Sequence, residues 1–358
     1  MKSIKYAVRL AAAIALFGAA CATQSASAQA IEGAGATFPA PIYKQWFANF
    51  QKATGVSVNY QAIGSGAGIN AIKNRTVDFG ASDAPLSSAE EASMPGPVVH
   101  IPTVGGAVAM TYNLPGAPNG LKFTPEIISG IFLGHIKEWN DPRIRAVNAG
   151  INLPAEAISP VHRTDGSGTT YIFTNYLRKA NADWAAGPGA GKSVNWPVGL
   201  GGKGSAGVSA LVRRTVGSIA YVELAYAVEN RLPVGMVKNR AGKFVGPNSE
   251  STTEAIGHYV DQLSKNVKTP TVDAPGAGSY PICSLTYILL YRNGGPHAGP
   301  TTKLWSWAMQ PAQQQAARAL FYAALPEALV KINIANLKSI HGAQMASESK
   351  LPAKVASK

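Results

Sequence analysis

The sequence predicts an α/β fold of two domains, and three observations carry that expectation. Strand-like and helix-like segments alternate along most of the chain, the order that builds parallel sheets. The length, 358 residues, exceeds what one small domain needs. Hydrophobic residues make up 46% and charged residues 14%, enough apolar side chain for a large core and too much for wholesale disorder. Two cysteines exclude a disulfide scaffold, and the 37 glycines and 24 prolines keep no fixed period, which excludes collagen-like and coiled-coil chains.

The first elements are not part of the fold. Lys2, Lys5 and Arg9 precede an apolar run from Leu10 to Ala22, and Ala28-Gln29-Ala30 supplies small residues in the A-x-A pattern. Residues 1–30 therefore read as a signal peptide cleaved after Ala30, and the run is too short for a transmembrane anchor. Cys21 could carry a lipid, but Gly18-Ala19-Ala20 lacks the large aliphatic residue such sites use, so the soluble reading is preferred. Cleavage removes three of the 32 basic residues and none of the 19 acidic ones, lowering the net charge from +13 to +10. The remaining cysteine, Cys283, sits between Ile282 and Leu285 in an apolar run and reads as a buried structural thiol.

The mature chain follows in order. Tyr43, Trp46, Phe47 and Phe50 recur at helical spacing, Val56, Val58 and Tyr60 alternate as in a strand, and Ile69–Asn74 reads as a helix. Val77–Ala81 is a short strand ending at Ser82-Asp83, and the apolar stretch Val98–Tyr112 is a crossover between domains. A helix starts near Thr124-Pro125, a strand spans Ile158–His162, and a helix runs from Thr170 to Leu177. Another helix and strand lie near Val208–Arg213 and Ser218–Val222. The linker-like Thr269–Gly278 precedes the strand Tyr287–Tyr291, and three helices close the chain: Lys303–Met309, Ala312–Leu325 and Pro326–Leu337. The tail beyond Ile340 is polar.

Three strand-to-loop junctions carry the chemistry. Gly33–Pro39, Gly64–Gly68 and Arg163–Thr170 each lead into a helix and offer hydroxyls and uncovered amides; the third adds a guanidinium. Helix N-termini hold phosphate-like anions through amides and partial positive charge, and arginine adds planar charge-assisted donors. Asp83 runs against that pattern, because a carboxylate repels an anion unless the anion still carries a proton to donate. Phosphate does so near neutral pH and sulfate does not, so one fixed acceptor among donors would select between them. The basic residues are scattered rather than gathered into runs interleaved with aromatics, which argues against nucleic acid as a partner and for a general attraction of small anions.

Gly33–Pro41, Asp78–Leu86 and Asp165–Thr169 resemble the periplasmic phosphate-binding subunit of bacterial phosphate ABC transporters, the PstS type, as does Trp196–Gly204. The resemblance implies a two-domain periplasmic binding protein of type II. Each domain would be a mixed, mainly parallel sheet flanked by helices, and two crossover strands would join them. Residues 31–112 and 280–340 would form the first domain, 113–279 the second, and 341–358 a polar tail. It further implies inorganic phosphate bound by Thr37, Phe38, Ser65, Asp83, Arg163, Ser167, Gly168 and Thr169, with Asp165 restraining the arginine. No metal or cofactor and no catalysis belong to that picture; the partners would be transmembrane permease subunits of an ABC phosphate importer, and the protein a monomer. Gly66-Ala67-Gly68 departs from the expected Ser-Gly-Gly but leaves Ser65 in place, and the loop Ala89–Pro97 is shorter than usual.

Two enzyme readings compete. Ala186–Ser193 nearly matches the nucleotide-binding G-x-x-x-x-G-K-[ST] pattern, but Ala186 replaces its first glycine and no strand precedes it. Ser167, His162 and Asp165 are near neighbours, as a hydrolase of phosphate esters would use, yet the G-x-S-x-G elbow is missing. An adhesin built on the same fold leaves no sequence signature. His100, His135, His162, His258, His297 and His341 show no metal-ligand spacing.

Overall fold

A computed structural model describes residues 30–342. The leader with Cys21 and the tail beyond Gly342 lie outside the described residues. The strands are β1 (Ile31–Gly35), β2 (Val58–Ala62), β3 (Phe79–Ser82), β4 (Val98–Asn113), β5 (Lys122–Phe123), β6 (Ser159–Arg163), β7 (Leu200–Gly202), β8 (Ser218–Glu223), β9 (Met236–Lys238), β10 (Phe244–Val245) and β11 (Cys283–Tyr291). Eight form one sheet in the order β2-β1-β3-β11-β4-β8-β6-β7, and β10-β9-β5 make a small second one.

The sheet has two parallel wings. β1 pairs in parallel with β2 and β3, and β6 pairs in parallel with β7 and β8. Between them run β4 and β11, antiparallel to each other and to the wings they touch. β4 spans both: Val98–Ala107 faces β11, and Val108–Asn113 faces β8. This is the crossover expected at Val98–Tyr112, and its interior is buried on both faces, which accounts for an apolar run without alternation. The chain returns to β11 through residues 266–282, which hold no strand. The helices Ser249–Gly257 and Val260–Lys265 already pack on β4, β11 and the C-terminal helix before that return.

Local chemistry explains the helices that matter. Ala40–Thr54 begins beside Pro39 and ends at Gly55, whose φ of 76° allows the left-handed turn that stops it. Its aromatic stripe buries Tyr43, Trp46, Phe47 and Phe50; Tyr43 and Phe47 meet Tyr60 and Trp305, and Phe50 meets Trp307, with ring centroids 5–6 Å apart. In the other wing, Phe173 stacks on Tyr221 at 4.3 Å, and Phe132, Trp184 and Trp196 complete the cluster. Cys283 is buried, its thiol pushed up to about 12 by burial, and its Sγ lies 3.3 Å from the Tyr280 carbonyl.

One element is corrected. The helix expected over Ala312–Leu325 stops at Arg318. Phe321 adopts a φ of 67°, Tyr322 turns inward, and Ala323 bridges to Gly105 of β4, so tertiary bonds override the helical propensity of the sequence.

Candidate functional site

Five loops leave the carboxyl ends of parallel strands and meet between the wings, the edge at which open α/β sheets hold ligands. β1 delivers Thr37 and Phe38, β2 delivers Ser65, β3 delivers Asp83, β6 delivers Arg163 to Thr169, and β7 delivers Gly204 and Ser205. Four of these loops open the helices Ala40–Thr54, Ser65–Lys73, Gly168–Ala180 and Gly204–Arg214, whose N-terminal partial positive charge is aimed at anions. Thr37, Phe38, Ser65, Asp83, Arg163, Ser167, Gly168 and Thr169 are all buried.

The lobes touch directly here. Ser65 Oγ accepts from the Gly168 N–H at 3.0 Å and from the Asp83 N–H at 3.3 Å. Thr37 Oγ1 lies 2.9 Å from Ser205 Oγ and accepts from the Ser205 N–H at 3.2 Å. The Gly66 N–H donates to the Gly166 carbonyl at 2.7 Å. That approach leaves little room for a side chain on either side, since a Cβ on Gly66 would meet the Gly166 Cα at 3.1 Å. Gly168 is more constrained: a Cβ there would come within 2.6 Å of both Asp83 and Ser65. Ser167 caps its helix, accepting from the Thr170 N–H at 3.0 Å, which leaves its hydroxyl proton to donate. Neither the Phe38 nor the Thr169 amide donates to a protein acceptor among the described residues.

The charged groups are few and fixed. Arg163 Nε and Nη2 grip both oxygens of Asp165 at 2.8 and 2.5 Å. Its Nη1 faces the hydroxyls of Thr169 and Ser205 at 3.3 and 3.4 Å. Burial pushes the Asp165 carboxyl upward, but the hydrogen bonds and charge of Arg163, with the Gly204 N–H at 2.9 Å, hold it below its usual range. Asp83 is the reverse case. Its carboxyl is pushed up to about 7 by burial, partly offset by Thr286 and the nearby Arg163 charge. Thr286 Oγ1 donates to Asp83 Oδ1 at 2.8 Å, and among the described residues Oδ2 has no protein donor. The antiparallel register of β11 on β3, with Tyr287 opposite Ser82, sets Thr286 beside Asp83.

The arrangement is a buried cradle of hydroxyls, free amides and one restrained guanidinium, with a single carboxylate oxygen as acceptor. It suits a small tetrahedral oxyanion that carries a proton. All eight residues named from the sequence, together with Asp165, lie in or beside this cradle.

Sequence reasoning missed the supporting groups. Ser205 lies in the first turn of a fourth helix, Gly204–Arg214, which follows the short strand β7. Tyr226 donates to the Thr37 carbonyl at 2.7 Å, and Tyr322 to the Phe38 carbonyl at 2.7 Å. The Tyr322 hydroxyl also lies 3.1 Å from Glu223 Oε2, which accepts from it, and burial pushes the Glu223 carboxyl well above its ordinary range. Thr286, Tyr226, Glu223 and Tyr322 lie far from the loops in sequence, and no local pattern marks them.

The competing constellations do not assemble. His162 stacks on Trp196 at 4.9 Å and its Nδ1 lies 3.2 Å from the Arg163 carbonyl, while Asp165 is committed to Arg163. The Ala186–Ser193 loop follows the short helix Ala182–Ala186 instead of a strand. Among the described residues no group of His, Cys, Asp and Glu is arranged to hold a metal ion, and no helix is long and apolar enough to cross a membrane.

Comparison with known proteins agrees with this architecture. Residues 21–311 match the model of the PBP superfamily domain. The phosphate-binding protein PstS of Pasteurella multocida is 42% identical over 309 residues, covering 85% of this chain and 88% of that protein. The phosphate-binding protein PstS of Methanocaldococcus jannaschii is 37% identical over 332 residues, covering 85% of this chain and 84% of the relative. Among solved structures, the phosphate-binding protein from Stenotrophomonas maltophilia superposes with a TM-score of 0.68 at 22% identity, covering 86% of this chain and 93% of that one. Its likeness speaks for the fold, and the curated relatives speak for the family: the chain belongs to the PBP superfamily and, within it, to the PstS family of phosphate-binding proteins.

Proposed function

We propose that this protein binds inorganic phosphate between its two lobes and delivers it to the transmembrane permease subunits of an ABC phosphate importer. The observation that carries the reading is the meeting of loops from both wings around one paired guanidinium and one donor-free carboxylate oxygen. Phosphate would be held by Thr37, Phe38, Ser65, Asp83, Arg163, Ser167, Gly168 and Thr169, with Asp165 fixing the arginine. Neither lobe holds all the donors, so the anion favours the closed form, as periplasmic binding proteins do as a class. The lobes are residues 31–112 with 280–340, and 113–279; the packing of residues 249–265 on β4 and β11 supports an earlier return to the first lobe than residue 280. The chain acts in the periplasm as a monomer after loss of residues 1–30, and performs no catalysis. The closed form is what the permease recognises.

Titration calorimetry of ligand-stripped protein tests this. Phosphate and arsenate, which both keep a proton near neutral pH, are expected to bind, and sulfate to bind far more weakly; absence of phosphate binding would end the proposal. Ser205→Ala adds a finer check. It removes a neutral hydrogen bond of about 0.5–1.5 kcal/mol, so the phosphate Kd is expected to rise about three- to tenfold. An unchanged Kd would make Ser205 a spacer between Thr37 and Arg163 and nothing more.

A further inference from the structure

The loop Ala186–Ser193 follows a helix instead of a strand, and its lysine is engaged elsewhere. Lys192 Nζ lies 2.8 Å from both carboxylate oxygens of Glu90, which belongs to the other lobe. We propose that Lys192 and Glu90 form a latch between the lobes that slows reopening of the closed form and so sets how fast the bound anion leaves. The inference rests on the phosphate-binding reading above.

Both ends of the latch are held before they meet. Glu90 is the third residue of the helix Ser88–Ala92, where its Oε2 accepts from the Ser87 N–H at 2.9 Å and the Ser87 hydroxyl at 3.0 Å in a capping box. The Lys192 carbonyl accepts from the Ser167 N–H at 2.8 Å, and the Gly191 N–H donates to Thr174 Oγ1 at 3.1 Å. The bridge thus connects the segment that carries Asp83 to the backbone of the loop that carries Ser167. A free surface pair spends side-chain entropy on its geometry and gains little. Here the carboxylate is already oriented, and the two side chains are only 21% and 27% exposed. A second lysine, Lys268 of the return segment, reaches the neighbouring Glu91 at 2.8 Å. The short acidic helix therefore pairs with two lysines from different segments of the chain.

The test uses the mature chain with Lys192→Met, Glu90→Gln, the double variant and the exchanged pair Lys192→Glu with Glu90→Lys. Calorimetry gives the phosphate Kd, and stopped-flow measurement gives its dissociation rate. Each single variant is expected to raise Kd about three- to tenfold, mostly through faster dissociation, and the double variant to cost no more than one single. The exchanged pair should recover at least half of the loss, which separates the latch from a folding defect. Between 50 and 500 mM NaCl the wild-type dissociation rate should rise more than that of Lys192→Met. Lys331→Met, which breaks the exposed Lys331–Glu327 pair inside one helix, should change nothing. Phosphate binding intact in every variant with dissociation rates within 1.5-fold of wild type would overturn the latch. A readout that needs no phosphate keeps the two readings apart: spin labels at the exposed positions Lys52 and Arg213, one per lobe, report their separation in ligand-free protein. A smaller short-distance population in Lys192→Met supports the latch, and identical distributions refute it even if phosphate binding itself fails.

Discussion

Replacing Arg163 by alanine is expected to weaken phosphate binding by about two to three orders of magnitude. Hydrogen bonds to charged groups contribute about 1.5–3 kcal/mol each, and the guanidinium supplies charged donors to the cradle, so two such bonds in the lower half of that range account for the loss. The change also strands Asp165. With Arg163 gone, burial is opposed mainly by the Gly204 N–H, and the anion meets an uncompensated carboxylate beside it. Breaking a buried pair by removing one partner costs about 3–5 kcal/mol, so thermal stability should fall as well. The Asp165 contribution to stability is present above the ordinary carboxylate range and is lost as pH falls through its depressed folded value. Arg163→Ala should therefore flatten the acid side of the stability profile. Arg163→Lys separates charge from geometry: it keeps the cation but not the two-pronged grip on Asp165, and should sit between wild type and alanine. Calorimetry at pH 7.5 reads the affinity, and melting curves read the fold. An alanine variant binding within twofold of wild type would place the anion elsewhere.

What the sequence disclosed and what it hid follow one physical rule. Features fixed by neighbours along the chain were legible. The aromatic stripe of Ala40–Thr54, the unalternating apolar run of β4 and the glycine–hydroxyl junctions are all local patterns, and the loops they predict do converge. Features fixed by distant partners were not. Nothing around Thr286 says that the pairing of β11 with β3 will set its hydroxyl on Asp83, and nothing around Glu223 says that it will support Phe38 through Tyr322. The helix expected to run to Leu325 failed for the same reason, since its last turn is traded for the Gly105–Ala323 bridge and the inward turn of Tyr322. Ser205 lies between these cases. A strand of three residues, β7, is too short to announce itself, yet the junction after it has the same form as the three that were noticed.

Asp83→Asn is expected to collapse the preference for phosphate over sulfate while leaving the fold intact. In the native cradle Oδ1 is occupied by the Thr286 hydroxyl, so Oδ2 is the atom left to accept a proton from the ligand. Sulfate has none to give, and its lone pairs would face those of the carboxylate. An asparagine in the same place can turn its amide to donate, which relieves sulfate and costs phosphate a charged hydrogen bond. Each change is on the order of 1.5–3 kcal/mol, so the selectivity ratio should drop by two orders of magnitude or more. The raised carboxyl adds a pH signature. In ligand-free protein Asp83 binds its proton more tightly folded than unfolded, so stability present below the ordinary carboxylate range is lost as pH rises to about 7. The melting temperature of stripped wild type should fall across that interval, and that of Asp83→Asn should not. The same proton governs selectivity: below pH 6 the neutral carboxyl can itself donate to sulfate, so the wild-type preference should narrow between pH 8 and pH 5. A preference equally strong at both, or an asparagine variant that still rejects sulfate, would mean that selection rests on size or charge and not on the placement of one acceptor.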